Sequence, residues 1–180
     1  MTIVDPCDAL DTEQAVAAIA DHQGPVYMRL LRGKVPLVLN EYDYQFELGK
    51  PKLLRDGRDV LLISSGIMTM RALETAKTMA ADNVDVAVLH VPTIKPLDTG
   101  TIITQSRRAG RLVVVVENHS VVGGLGEAVE TTLMHAQVML VFRQIGLPDQ
   151  FLDAGALLTL HDRYGISTEA MVSAIRFWLA

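Results

Sequence analysis

Arg32 is the residue best placed to do chemistry in this chain. It follows the apolar, strand-like run Val26-Tyr-Met-Arg-Leu-Leu31 and precedes Gly33 and, past Lys34 and Val35, Pro36. It therefore emerges at the carboxyl edge of a strand, where open α/β folds place their ligand sites. A guanidinium there can grip a phosphate through paired, charge-assisted hydrogen bonds that a lysine cannot reproduce geometrically. Arg29, on the same run, is a second and weaker candidate. For both, the competing reading is a solvated or structurally paired arginine.

Glu117 and His119 stand at the end of another apolar run, Leu112-Val-Val-Val-Val116. A carboxylate two residues from an imidazole can orient a general acid or base, or share a metal. In extended backbone, however, positions i and i+2 share a face. Pairing with each other or with loop amides accounts for the two residues equally well, and no further metal ligand lies at useful spacing. Interface or loop architecture is the favoured reading. Gly123, Gly124 and Gly126 follow at once. They could present amides at a helix N-terminus to an anion, but the spacing is not G-x-G-x-x-G, and Glu127 already supplies negative charge to the helix dipole. Close packing or a subunit contact is the expected use.

The other reactive types read as structural. His90, between Leu89 and Val91, is a satisfied strand histidine; His22, His135 and His161 fall near helix ends or in a loop, where histidine helps cap carbonyls. Met68, Met70 and Met79 are helix packing. Cys7 sits in a Pro-Cys-Asp turn without a partner base, and as the single cysteine it forms no internal disulfide. Asp5 and Asp8 stand where a signal peptide would need positive charge, which with the lone thiol points to a reducing cytoplasm. Sixteen Lys and Arg against 21 Asp and Glu leave a net charge of −5. Apart from Arg107-Arg108 the basic residues are scattered, so a nucleic-acid groove is not expected. Apolar residues make up 49%, yet the longest uncharged apolar runs are strand-sized, which excludes a membrane-spanning helix.

The elements that position these residues alternate. Asp59–Ile63, Val84–Val91, Leu112–Val116 and Val138–Phe142 read as strands. Between them lie helical patterns at about 68–81, from Asp98 or Thr99 to near Ala109-Gly110, and at about 126–135. A last helix over 168–179, with Ser167 as N-cap, carries Met171, Ala174, Ile175 and Trp178 on one stripe. This alternation predicts a mostly parallel sheet with helices on both faces, a three-layer α/β/α domain over residues 58–180. Residues 1–35 read as one βαβ-like unit, with Thr12 to His22 helical. That unit is too small for its own core and is the end of another domain. Residues 36–57 read as a linker, with a short hairpin or edge strand around Gln45 to Leu48.

The order of these pieces resembles the C-terminal end of the transketolase family. Thr2-Ile-Val-Asp-Pro-Cys-Asp8 looks like the V-x-P-x-D entry to the last helix of that family's pyrimidine-binding domain. Pro25 to Gly33 resembles the segment closing that domain. Asp59 to Gly66 with Ala72-Leu73, Thr93-Ile-Lys-Pro-Leu-Asp98, Glu117-Asn-His119 with Gly123-Gly-Leu-Gly126, and Ile145-Gly-Leu-Pro-Asp149 complete the series. The similarity covers essentially the whole chain.

The resemblance implies a thiamine-diphosphate enzyme, with a divalent metal such as Mg, that moves a two-carbon ketol unit between sugar phosphates. Arg32 matches the family position that contacts substrate phosphate. The Gly-Asp-Gly…Asn motif for the diphosphate and the activating Glu are not found here. The expectation is therefore the C-terminal section of a split or cut enzyme. It would bind no cofactor and be inactive alone, with a homodimer, or a heteromer with an N-terminal chain, as the expected assembly. Deoxyxylulose-phosphate synthase, a 2-oxo acid dehydrogenase E1 β fragment, and a non-catalytic anion- or partner-binding regulator stay open as alternatives.

Overall fold

A computed structural model describes residues 1–180 except Lys34 and Ala109. Its centre is a five-stranded sheet in the order β3-β5-β4-β7-β8. The strands are β3 (Lys52–Arg55), β4 (Val60–Ser64), β5 (Val86–His90), β7 (Leu112–Ser120) and β8 (Val141–Leu147). β4 runs parallel to both β5 and β7, β7 runs parallel to β8, and β3 alone is antiparallel.

The unbroken apolar runs have the physical reason anticipated for them, since both faces of the central strands are covered. Val60, Leu62, Val114 and Val116 pack with α2 (Met68–Ala80) and α6 (Thr168–Leu179). The alternate residues Leu61, Ile63, Val113 and Val115 pack with α3 (Thr99–Ser106) and α4 (Leu125–His135). These eight side chains are fully buried, and each contributes roughly 1.5–3 kcal/mol of hydrophobic stabilisation. Two of these helices start at side-chain caps. Asp98 accepts from the Thr101 amide and Ser167 from the Ala170 amide, satisfying donors that the first turn leaves open.

Several boundaries differ from the sequence reading. β8 is displaced from 138–142 to 141–147. Val138 and Leu140 pack on the core from the preceding loop, while the strand itself is a half-exposed edge that admits Arg143 and Gln144. The expected end of α3 at Ala109 lies outside the described residues, and its described end is Ser106. A short helix, α5 (Leu157–Arg163), was not anticipated. Gln45 to Leu48 is irregular, and the edge strand lies further on, at β3.

The opening segment forms β1 (Thr2–Val4), α1 (Ala9–Ala20) and β2 (Val26–Met28). β2 ends sooner than the expected Leu31. β1 pairs parallel with β2 and antiparallel with β6 (Thr93–Lys95), so the C-terminal part lends the opening unit its third strand. The Asp5 amide also donates to the Pro92 carbonyl at 2.8 Å. A buried polar chain completes the join. Asp11 of α1 accepts from Tyr44 Oη at 2.6 Å and from the Cys7 amide at 2.7 Å, and lies 2.9 Å from His90 Nε2. The His90 Nδ1 atom meets Thr69 Oγ1 at 2.7 Å, and Thr69 meets Ser64 Oγ at 2.9 Å. His90 is thus the satisfied strand histidine expected, with both ring nitrogens partnered.

Candidate functional site

The carboxyl ends of β1 and β4 meet in a seam through Asp5 and Ser65, and of the candidate arginines Arg29 stands beside it. Asp5 follows β1 and Ser65 follows β4. The Ser65 hydroxyl donates to Asp5 Oδ2 at 2.8 Å, and the Gly66 amide donates to the Asp5 carbonyl at 3.0 Å. Gly66 has φ +54°, and a Cβ there would stand 2.7 Å from the Asp5 carboxylate. Glycine is required on both counts. Burial raises the pKa of Asp5, against the opposing pull of Arg29 and the Ser65 hydrogen bond.

Arg29 lies 3.6 Å from Asp5 Oδ2 and is partly buried. Arg32 is exposed beyond the end of β2. Its chain neighbours Leu31 and Gly33 line a cleft of about 390 Å³ with Cys7, Asp8 and Thr12 at the start of α1. The Cys7 thiol in that cleft is buried, and its pKa is pushed well up by burial and by Asp8 and Asp11. It is no nucleophile at neutral pH.

Glu117 is 1% exposed and holds the loop after β7 in place. Its carboxylate accepts from the Leu125 amide at 2.7 Å, the Gly126 amide at 2.8 Å and Gln144 Nε2 at 3.0 Å. It therefore caps α4 from within the chain. A Cβ on Gly124 would come 2.1 Å from Glu117 Oε2, and one on Gly126 would come 2.2 Å from the Gln144 side chain. The Gly123 amide goes to Glu127 Oε2 at 2.9 Å. These amides, the natural anion cradle of such a loop, are thus taken by the chain's own carboxylates. His119 Nδ1 lies 2.8 Å from the Ser120 carbonyl and 4.0 Å from Glu117, so loop bonding dominates over direct pairing of the two.

The seam carboxylates are either buried against hydroxyls or bonded to amides, and the N-terminal amides of α4 are occupied. Among the described residues no group of three His, Cys, Asp or Glu converges as a metal site, and no helix is long and apolar enough to cross a membrane.

Sequence reasoning missed Asp5 and Ser65. Each directly follows an apolar strand run, and that shared position was the available signal. His161 was misread as a helix-end cap. It is 2% exposed within α5, with both ring nitrogens unpartnered among the described residues. Burial, assisted by the positive charge of Arg71, lowers its pKa to about 4.

The parallel sheet wrapped on both faces, with its glycine-rich β7–α4 loop capped by an internal glutamate, is the architecture of a transketolase-type C-terminal domain. The chain belongs to that family, for the family model "Transketolase, C-terminal domain" matches residues 49–171. It is 68% identical over 180 residues to a transketolase family protein of Sinorhizobium fredii, covering 99% of this chain and 52% of that protein. It is also 36% identical to the 6-deoxy-6-sulfo-D-fructose transketolase subunit SqwH of a Clostridium species, covering 97% of this chain and 53% of the subunit. A solved split-gene transketolase, described as an inactive β4 tetramer, superposes with a TM-score of 0.88 at 35% identity. That match covers 98% of this chain and 56% of the solved one. The chain spans about half the length of the curated relatives it matches.

Proposed function

We propose that this chain is the C-terminal section of a transketolase that moves a two-carbon ketol unit between sugar phosphates. In this reading a separate N-terminal section supplies the thiamine diphosphate and metal site. The observation that carries the proposal is the unfinished opening unit. β2 is an open edge of its sheet, and Val16, Tyr27, Leu30 and Leu37 are each about half exposed or more. A three-stranded sheet with an open edge and that much apolar surface gains stability by pairing with further strands. The half-length coverage of the relatives supports the same reading, as does the inactive state named for the solved β-chain tetramer.

Arg32 then serves as the grip on the anionic end of the sugar, orienting it rather than breaking bonds. Arg29, leaning on Asp5, is a second contact or a brace for the first. Glu117 and the glycines hold the wall of the site and its subunit contact. The assembly is an oligomer working in the cytoplasm.

Co-expression with the N-terminal section tests the proposal. Ketol transfer should be restored in the mixture and absent in the chain alone, which should give no calorimetric signal with thiamine diphosphate. Tight cofactor binding by the isolated chain, or no activity after assembly, would overturn it.

A further inference from the structure

At the opposite edge of the main sheet, under the amino ends of β7 and β8, lies a cavity of about 570 Å³. That volume is typical of small-molecule sites. One wall is basic, made of Arg107, Arg108 and Arg111, and the other is apolar, made of Met139, Leu140 and the indole of Trp178. The charge there is not balanced. Arg108 and Arg111 both pair with the one carboxylate of Asp56, while Arg107 reaches only the Ala136 carbonyl at 3.4 Å among the described residues. Three guanidinium groups against one carboxylate leave two positive charges. Arg111, 4% exposed, has its pKa lowered by burial and then by the neighbouring charge of Arg108, as expected where cations outnumber anions.

Two further features point to a ligand. Ser106 lines the cavity at 3% exposure, and its hydroxyl has no hydrogen-bond partner among the described residues. Buried hydroxyls are rarely left so. Trp178 is held at the cavity by Arg143, whose guanidinium lies 5.8 Å from the ring centroid. Met139, on the rim, is 93% exposed. An apolar wall facing an excess of two positive charges suits a dianion carrying a flat, apolar body. We propose that this cavity binds a small aromatic phosphomonoester, its ring against Trp178, Met139 and Leu140 and its phosphate between Arg107 and Arg108. The site is separate from Arg32, which lies beyond the end of β2 and does not line this cavity.

Trp178 is the only tryptophan of the chain, so its fluorescence reports directly on the cavity. Titration of the full chain with phenyl phosphate should give a saturable change in Trp178 emission, and calorimetry should return the same Kd. That Kd should lie at least tenfold below those of inorganic phosphate and of phenol. Arg107→Glu, a change at an exposed side chain that leaves the fold intact, should raise it tenfold or more. Arg32→Lys should leave it unchanged, which separates this site from the proposed substrate grip. Absence of saturation by both methods, equal binding of inorganic phosphate, full affinity in Arg107→Glu, or loss in Arg32→Lys would each refute the assignment.

Discussion

Asp11 and His90 meet at 2.9 Å with both side chains fully buried, although 79 positions separate them in sequence. Asp11 belongs to the opening helix and His90 ends a strand of the main sheet, so this contact adds a buried tie between the two parts of the chain, beside the pairing of β1 with β6. Burial alone would raise the pKa of Asp11. The hydrogen bonds and charge of His90, with those of Tyr44 and Cys7, more than offset that and bring it below the usual range.

Asp11→Asn should therefore destabilise the chain by about 1–3 kcal/mol, the cost of a mispaired buried polar group. Urea denaturation measures it, and amide exchange should rise first over residues 1–20. The pH dependence has a definite sign. A depressed carboxyl contributes stability above its unfolded pKa and loses it as pH falls through the folded value. The acid limb of the stability curve should flatten in the variant.

Gly124→Ala should cost about 2 kcal/mol or more. The new Cβ occupies the place of Glu117 Oε2, and that carboxylate cannot swing aside without abandoning three donors. In a Glu117→Ala background the same substitution should cost distinctly less. A double-mutant cycle by chemical denaturation reads the coupling, and additivity would contradict the packing described.

His161 predicts acid sensitivity. Its folded pKa of about 4 lies below the unfolded value near 6.5. Between those limits the unfolded chain binds the proton and the folded chain does not. Stability should fall as pH drops from about 6.5 to 4, by up to about 1.4 kcal/mol per pH unit. His161→Leu should remove that slope in urea midpoints measured across the window.

Arg32→Lys in the assembled enzyme should raise KM for phosphorylated substrates roughly tenfold or more, with little effect on unphosphorylated analogues. The lysine keeps the charge and loses the fork. Equal loss with both substrate types would assign Arg32 a structural role. A sulfonated sugar, the substrate type named for one relative, is a useful third arm, since it offers the same tetrahedral oxygens with less charge.

Much of the fold was legible because burial on both sheet faces leaves continuous apolar strands, as in Leu112–Val116, and because Asp98 and Ser167 are good caps in sequence as in space. The last helix matches its stripe from Thr168 to Leu179. Edge elements were harder. β8 mixes Arg143 and Gln144 with its apolar residues, so its register followed the nearer apolar run instead. The site divided along similar lines. The loop role of Glu117 was legible from its glycines, whereas Arg32 lies further past its strand than the apolar run suggested, because β2 ends at Met28. The Asp5–Ser65 contact and the Asp11–His90 bond join residues 60 and 79 positions apart. No local pattern encodes such pairings, because they depend on how the opening unit folds back over the sheet.

His90 closes β5 and Thr93 opens β6, so only Val91 and Pro92 lie between a strand of the large sheet and a strand of the small one. Both are buried, and a two-residue span of that kind leaves no slack for hinging. The 2.8 Å contact between Asp5 and Ser65, which bridges the same two sheets, is therefore held at a fixed spacing by a joint without slack.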